Sequence, residues 1–184
     1  MEPVTAAGRT AAQAKGVLFS VETHPSPPVF VDPTRVRQIL FNLISNAVKF
    51  TGRGGHVTLL ARTDERELAF EVRDTGIGIP KEARDRVFGV FERFHEGRDQ
   101  ASGTGLGLAL TKRLVEEMHG SVGFESEETK GTTFHVRLPD AVVEQVLGDR
   151  ILVVDDERHD ADLIVAVAAS MDLRAEVVRG LAGR

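Results

Sequence analysis

The segment 33–51 constrains the fold most, because it has the pattern of a long amphipathic helix. Asp32 is a favourable N-cap residue, and Pro33 suits the first helical position, where its missing N–H is not needed. Gly52 suits the position just after the helix, where a left-handed backbone is common. At about 100° per residue, the apolar side chains gather on one broad face. The segment therefore predicts a helix with one buried and one polar face.

Segments with the pattern of strands surround this helix. Residues 17–23 alternate loosely between apolar and polar, and 56–62 and 67–73 form two strand-like runs joined by a charged turn. Residues 133–138 alternate strictly, which predicts a strand with one buried face. A second amphipathic helix is predicted over 106–119, because leucine or methionine recurs there at every fourth position. Residues 81–94 are predicted to form a short helix followed by an apolar turn.

The composition excludes several classes of function. The 184 residues carry 23 Lys and Arg against 28 Asp and Glu, and this net charge of −5 argues against a strongly basic nucleic-acid binder. The chain has no cysteine, which excludes disulfides, thiol nucleophiles and thiolate metal sites. It has neither an apolar run of about 18 residues nor the apolar core of a signal peptide, so no membrane contact is expected from it.

Polar side chains follow one edge of the apolar face of the first helix. Asn42, Asn46 and Lys49 fall within about 60° of one another around the helix axis. Amide oxygens are hard ligands that suit Mg²⁺, and a lysine supplies a positive charge for phosphate. Phe50 lies on the neighbouring flank, where it could contact an aromatic ligand. The stripe indicates a cation and anion site; the alternative is an ordinary solvated helix face.

Two glycine-rich loops follow. In the first, Asp74 ends a strand and precedes Gly76 and Gly78, which let a ligand approach the backbone. Its carboxylate could accept a hydrogen bond from an exocyclic amine such as that of adenine; the alternative is a tight turn with an ordinary aspartate. The second loop, 103–108, opens a helix, whose free N–H groups favour phosphate. Its spacing fits neither the dinucleotide fingerprint nor a P-loop, and its alternative is a flexible linker.

In this order and on these elements, the motifs resemble the catalytic, ATP-binding domain of sensor histidine kinases, in the GHKL superfamily. DPTRVRQILFNLISNAVKFT (32–51) resembles the N box, DTGIGIP the first glycine box and VFGVFERF (87–94) the F box. GTGLGLAL resembles the second glycine box, and residues 120–139 resemble the closing hairpin. The resemblance covers about residues 15–139. It implies an α/β two-layer sandwich, in which a mixed, mostly antiparallel sheet packs on helices.

The resemblance also implies roles for individual residues. Asn46 would be the principal Mg²⁺ ligand with Asn42 in support, Lys49 and Arg93 would face the phosphates, and Asp74 would hold the adenine amino group. Residues 95–105 would form the ATP lid. Asn42, Lys49 and Arg93 are the implied catalytic residues. The implied ATP-binding set is Asn42, Asn46, Lys49, Phe50, Asp74, Gly76, Gly78, Ile79, Arg93, Gly103, Thr104, Gly105, Leu106, Gly107, Leu108 and Thr133, with Thr132 as an alternative to Thr133 for a water-mediated contact to adenine.

Position 42 separates the relatives by reaction. ATP-hydrolysing members of the superfamily carry a glutamate there, which activates water, whereas this chain has Asn42. An amide cannot accept a proton at neutral pH, which favours phosphoryl transfer to a protein over hydrolysis. The implied acceptor is a histidine on a dimerisation hairpin, and none of the six histidines precedes the N box in a helical segment. The alternatives are a GHKL-type ATPase and a non-catalytic nucleotide-binding or docking module.

The remaining segments complete the expected organisation. Residues 1–14 are expected to be a remnant of an upstream helical region or linker, and 140–149 a linker. The run RILVVDDE reads as a buried parallel strand followed by acids, and it resembles the first strand of a response-regulator receiver. Asp155 and Asp156 would then be an incomplete Mg²⁺ half-site, and 150–184 the first βαβ unit of a flavodoxin-like domain, with a helix at 158–171 and a strand near 174–179. The alternative for these acids is a helix N-terminus. A cytoplasmic location and a response regulator or receiver as partner are also expected.

Overall fold

The computed structural model describes residues 2–24, 28–64, 66–90 and 105–141, together with the backbone of two strands at 150–154 and 174–178. Among the described residues, no helix has the length and apolar character needed to cross a membrane.

A five-stranded sheet forms one layer of the fold. Its strands lie in the order β1-β2-β3-β5-β4; β1 pairs with β2 in parallel, and the other pairs are antiparallel. Helices α1, α2 and α3 form the second layer, and a short 3₁₀ helix, Lys81–Arg86, follows β3. The predicted two-layer α/β sandwich with a mixed sheet is confirmed. The bounds are α1 Glu2–Lys15, β1 Leu18–Thr23, α2 Pro33–Phe50, β2 His56–Asp64, β3 Glu67–Asp74, α3 Gly107–Glu117, β4 Ser121–Glu127 and β5 Gly131–Leu138.

The alternation of the strands places the core between the two layers. Val57 and Leu59 of β2, like Val72 of β3, are fully buried on the face that the helices cover. The apolar face of α2 packs against them, including Leu40 and Leu43, each 1% exposed. The opposite face of the sheet carries polar side chains, because alternate residues of a strand point to opposite sides.

Helix α2 begins as predicted but ends differently. The Asp32 carboxylate accepts hydrogen bonds from the backbone N–H groups of Thr34 and Arg35, at 2.9 and 3.1 Å, which confirms the N-cap. At the other end Thr51 is the cap and is extended, and Gly52 does not adopt a left-handed backbone. The Thr51 N–H and hydroxyl both donate to the Ala47 carbonyl, at 3.0 and 2.7 Å. The last carbonyl, that of Phe50, accepts from the N–H of Ile77 at 3.3 Å, so the helix ends without a glycine cap. The left-handed glycine is Gly54, in the turn to β2.

The two remaining helices lie close to their predicted positions. The short helix predicted at the start of 81–94 is a 3₁₀ helix, Lys81–Arg86, and a turn follows it at 87–90; residues 91–94 lie outside the described residues. Helix α3 ends at Glu117, two residues before the predicted end, and His119 after it has a left-handed backbone with φ 57°. Gly120 follows, where a Cβ would lie 2.4 Å from the Arg137 carbonyl oxygen.

Residues 2–15 form a helix that belongs to the core. Val4 is 4% exposed and Ala12 is 1% exposed. A Cβ at Gly8 would lie 3.0 Å from the side chain of Ile44 in α2, so the two helices approach closely. The Lys15 ammonium also donates to the carbonyls of Val48 and Lys49 at the end of α2. The expected boundary between residues 14 and 15 therefore cuts through a helix that packs on α2.

Lys15 offers a test of this packing. The change Lys15→Met removes the positive charge from the C-terminal end of α2, where the helix dipole favours a cation. We expect the free energy of unfolding to fall by about 0.5–1 kcal/mol. Urea denaturation measures it, with Gln13→Met as the control, because Gln13 is an exposed residue of the same helix. Equal stability of the two variants would contradict the role assigned to Lys15.

Two strands follow the sandwich, β6 (Arg150–Val154) and β7 (Arg174–Val178). They pair in parallel, from Arg150 opposite Arg174 to Val154 opposite Val178. Both lie where strands were predicted. Asp155, Asp156 and the predicted helix 158–171 lie outside the described residues.

Candidate functional site

Asp74 is a buried carboxylate at the end of β3. It is 7% exposed, and its Oδ1 accepts hydrogen bonds from the N–H groups of Gly76 at 2.8 Å and Thr132 at 3.3 Å. Burial raises the pKa of this carboxyl, and the two backbone hydrogen bonds oppose the rise. Both of these donors bind Oδ1, which leaves Oδ2 to accept a hydrogen bond from a ligand.

The first glycine loop fits closely against two other elements. A Cβ at Gly76 would lie 2.5 Å from the Phe50 carbonyl oxygen, at the end of α2. A Cβ at Gly78, whose φ is +71°, would lie 2.2 Å from the Glu127 carbonyl oxygen, at the end of β4. Both glycines are therefore needed for backbone packing, as well as for any approach of a ligand.

A set of hydrogen bonds that the sequence analysis missed joins the same loop to the β4–β5 hairpin. The N–H of Ile79 donates to the Ser126 hydroxyl at 2.8 Å, and the N–H of Thr129 donates to the Ile77 carbonyl at 2.8 Å. The Arg84 guanidinium donates to the carbonyls of Ile79 and Ser126. No motif marks Ser126 or Arg84, so only the packing of the loop on the hairpin identifies them.

The structure places Thr132, and not Thr133, beside Asp74. In the β3–β5 register Thr132 lies opposite Asp74, and Thr133 lies opposite Arg73 on the other face of the sheet. Thr132 is 6% exposed, and its hydroxyl lies 2.9 Å from that of Ser126. The alternation of β5 predicts this assignment, because Thr132 lies two residues before the buried Phe134 and therefore faces the same side of the sheet. Thr133 is therefore withdrawn as the residue on the adenine side.

The polar stripe of α2 lies between the two glycine loops. Asn42 faces the start of α3, and its Nδ2 donates to the Gly107 carbonyl at 3.3 Å. Asn46 is half-buried, one turn further along. The Lys49 ammonium lies 5.1 Å from the centre of the Phe50 ring. The stripe thus extends from the second glycine loop to the end of α2 where the first one packs.

The described part of the second glycine loop leads into α3. Gly105 has φ +71°, and Leu106 is 38% exposed. Among the described residues no side chain caps α3, and free N–H groups at the start of a helix favour an anion. A Cβ at Gly107 would meet Asn42 only at 3.8 Å. Leu108 packs against the core, and Arg93, Gly103 and Thr104 lie outside the described residues.

The F box and an ion pair hold this end of the domain together. Phe88 packs edge-on against Phe124 and Phe134, with centroid distances of 6.0 and 6.3 Å. The Arg35 guanidinium bonds Glu117 at 2.6 Å, tying α2 to the end of α3. Hydrogen bonds from Arg113 and from Arg35 lower the pKa of Glu117. The ion pair links α2 to the end of α3, and the ring contacts join Phe88 to β4 and β5.

The donor set suits a cation that binds together with phosphates. Among the described residues, no three His, Asp or Glu side chains converge to form a metal cage. The available oxygens are the amide oxygens of Asn42 and Asn46. Mg²⁺ is commonly held by one or two protein oxygens together with substrate phosphates and water. The arrangement can thus hold Mg²⁺ with a nucleotide, rather than as an isolated ion.

Known proteins with similar sequences include sensor proteins and histidine kinases. The profile of the family described as histidine kinase-, DNA gyrase B- and HSP90-like ATPase matches residues 31–142. The aerobic respiration control sensor protein ArcB of Escherichia coli K12 is 41% identical over 175 residues, covering 92% of this chain and 22% of ArcB. The circadian input-output histidine kinase CikA of Thermosynechococcus vestitus is 49% identical over 109 residues, covering 59% of this chain and 15% of CikA. The chain thus spans about a fifth or less of these relatives.

Solved structures similar to this chain include a sensor histidine kinase and a protein in complex with AMPPNP. Full-length ShkA in complex with AMPPNP superposes with a TM-score of 0.69 at 30% identity, covering 96% of this chain and 38% of that one. The mycobacterial sensor histidine kinase MprB superposes with a TM-score of 0.65 at 26% identity, covering 78% of this chain and 97% of that one.

Proposed function

Because this chain belongs to the family of histidine kinase-, DNA gyrase B- and HSP90-like ATPases, we propose that residues 2–141 bind Mg·ATP and transfer its γ-phosphoryl group to a histidine on a dimerisation hairpin. One observation carries the proposal: α2 lies against both the loop that follows the buried Asp74 and the start of α3, which no described side chain caps. The first glycine loop packs on Phe50, and α3 begins beside Asn42. These two points of α2 lie two helical turns apart, about 12 Å.

Each end of this arrangement suits one part of ATP. Asp74 accepts the hydrogen bond of the adenine amino group, and the first glycine loop lets the purine reach it. Lys49, Arg93 and the N–H groups at 103–108 bind the phosphates, and Asn46 and Asn42 offer oxygens to the cation. Bound Mg²⁺ neutralises charge on the phosphates. The side chains then have to position the γ-phosphoryl group, which is most of what catalysis of this transfer requires.

The side chain at position 42 favours transfer to a protein over hydrolysis. Asn42 donates through its Nδ2 to α3 and offers no basic group to an attacking water. The acceptor histidine of the hairpin instead brings its own nucleophilic nitrogen.

We expect Asn42→Glu to raise phosphate release from Mg·ATP. A general base contributes about 10²–10⁴-fold where its geometry is right, but here we expect about tenfold, because a carboxylate near the phosphates also repels them. Phosphate release is measured at saturating Mg·ATP, after calorimetry has shown that the variant still binds it. The control is Asn42→Gln, which adds length without a base. A Glu variant that binds Mg·ATP and hydrolyses it no faster would place the choice of reaction elsewhere.

The decisive experiment for the function uses γ-labelled Mg·ATP with and without a histidine kinase dimerisation hairpin. Label on the hairpin, lost when its histidine is replaced, supports the kinase. Rapid release of labelled phosphate without the hairpin would support an ATPase of the gyrase type. Binding of ATP with neither reaction would support a nucleotide-binding module.

For the C-terminal part, we propose that β6 and β7 are the first two strands of a receiver-type domain. Their parallel pairing supports this, and the 155–173 segment between them is long enough for a crossover helix. Asp155 and Asp156 would then contribute to a Mg²⁺ site. NMR titration of the full chain with Mg²⁺ tests it: signals of 150–156 should shift, and Asp155→Asn with Asp156→Asn should abolish the shift. No shift in the parent chain would contradict the assignment.

A further inference from the structure

The hydroxyl of Thr111 has no role in the function proposed above, yet it is fully buried, in α3 directly opposite Asn42. It donates to the Gly107 carbonyl one turn earlier, at 2.9 Å. The Nδ2 atom of Asn42 lies 3.3 Å from the same carbonyl oxygen and 3.5 Å from the Thr111 hydroxyl oxygen. One side-chain amide of α2 therefore meets two oxygen atoms of α3.

These two oxygens can only accept from Asn42. The Gly107 carbonyl has no proton, and Thr111 uses its own proton on that carbonyl. An amide turned the other way would place its oxygen against two acceptors and leave its NH₂ group facing the nucleotide. The neighbours of an amide determine which of its ends points where. In this case they require the NH₂ end to face α3.

We propose that Thr111 is a positioning residue that, with the Gly107 carbonyl, turns the Oδ1 of Asn42 toward the Mg²⁺ ion of bound Mg·ATP. This inference rests on the proposed function. It explains how Asn42 can contact α3 and the cation at once: the NH₂ group donates to α3, and the oxygen binds the ion. Hydrogen-bond partners that orient a metal ligand typically contribute about 10–100-fold to metal affinity.

A pair of variants isolates the hydroxyl. Thr111→Val keeps the shape of the side chain and removes the hydroxyl, whereas Thr111→Ser keeps the hydroxyl and removes only a methyl group. We expect Thr111→Val to weaken ATP binding about tenfold in the presence of Mg²⁺ and to leave binding in EDTA unchanged. Thr111→Ser should keep the Mg²⁺ dependence of the parent chain. Isothermal titration calorimetry on the full chain, with and without Mg²⁺, measures both.

Loss of structure would give a different pattern. If both variants lose ATP affinity equally with and without Mg²⁺, Thr111 only packs α3 against α2, and the inference is overturned. It is also overturned if Thr111→Val binds with the Mg²⁺ dependence of the parent.

A second readout does not require nucleotide. The side-chain NH₂ signals of Asn42, assigned by their absence in Asn42→Asp, should show slow solvent exchange in the free parent chain and fast exchange in Thr111→Val. Unchanged exchange would overturn the inference. If the parent chain binds no Mg·ATP, the proposed function fails, while this measurement still reports the orientation of the amide.

Discussion

Replacing Asp74 by Asn is expected to lower the affinity for ATP about ten- to a hundredfold while making the free protein more stable at neutral pH. The affinity falls because the new NH₂ group cannot accept a hydrogen bond from the adenine amine, and such a bond to a charged group is worth about 1.5–3 kcal/mol. Oδ1 can still accept from Gly76 and Thr132, so the loop keeps its shape.

The stability rises because burial raises the pKa of Asp74 above its ordinary value of 3.8. At pH values below 3.8 the carboxyl is protonated in both the folded and the unfolded chain. As the pH rises through the raised pKa of the folded state, the unfolded chain ionises more readily, and the folded state loses stability. An Asn at position 74 has no such loss. The stability of the variant minus that of the parent should therefore increase as the pH rises from 3.8 through the raised pKa of Asp74, and then level off.

Thermal unfolding across this pH range and calorimetry with ATP measure the two effects. Asp85→Asn is the control, because Asp85 is exposed in the 3₁₀ helix and should change neither quantity. If Asp74→Asn binds ATP as the parent does, Asp74 does not hold the adenine. If it is less stable than the parent at pH 7, the carboxylate contributes more through its hydrogen bonds than it loses by burial.

The second large effect is expected for Gly78→Ala. The left-handed backbone of Gly78 costs an alanine about 1–2 kcal/mol, and its Cβ would lie 2.2 Å from the Glu127 carbonyl oxygen. Because that atom belongs to the backbone, the loop must move away from the hairpin and break the Ile79–Ser126 hydrogen bond. We expect the free energy of unfolding to fall by about 3 kcal/mol or more, and ATP affinity to fall with it.

Urea denaturation checks this result against Gly52→Ala. A Cβ at Gly52 meets nothing within 4 Å, and its backbone is not left-handed, so that variant should unfold like the parent chain. Equal stability of the two variants would mean that the loop and the hairpin separate at little cost.

Gly107→Ala makes a useful third case, because its Cβ meets Asn42 only at 3.8 Å. Any loss of ATP binding there would arise from crowding of the site and not from unfolding.

The sequence predicted the elements whose signal is local. The cap at Asp32, the apolar face of α2 and the alternation of the strands depend on neighbouring residues, and all three were confirmed. The end of α2 was predicted to within one residue, but its capping was not, because the last carbonyls accept hydrogen bonds from the ammonium of Lys15 and the N–H of Ile77, which lie in other segments. Residues 1–14 were left open between a helical remnant and a linker for a related reason: their small side chains give a weak pattern, and only contact with α2 shows that Val4 and Ala12 are buried.

In the candidate site, too, residues marked by a local motif were predicted and residues that depend on distant contacts were not. Asp74 and the glycines were found because motifs mark them. Ser126 and Arg84 were missed, since their importance arises from a contact between segments that lie far apart in the chain. Thr133 was chosen over Thr132 because a motif fixes a position only approximately, whereas strand register decides which side chain faces the helices. The roles of all the predicted site residues stay predictions, and Arg93, Gly103, Thr104, Asp155 and Asp156 lie outside the described residues.

The bond from the Thr132 N–H to Asp74 joins residues 58 positions apart, and Asn42 meets Thr111 from 69 positions away. The proposed nucleotide site therefore forms only when α2, β3, α3 and β5 have all assembled, and it is absent from an unfolded chain. Under the proposed function, ATP binds the native state alone and stabilises it by mass action, by about 2.7 kcal/mol at a concentration one hundred times the dissociation constant. In a cell rich in ATP, binding of the substrate would then raise the folded fraction of the protein. A variant that loses affinity for ATP would lose abundance as well, even where its free form is the more stable.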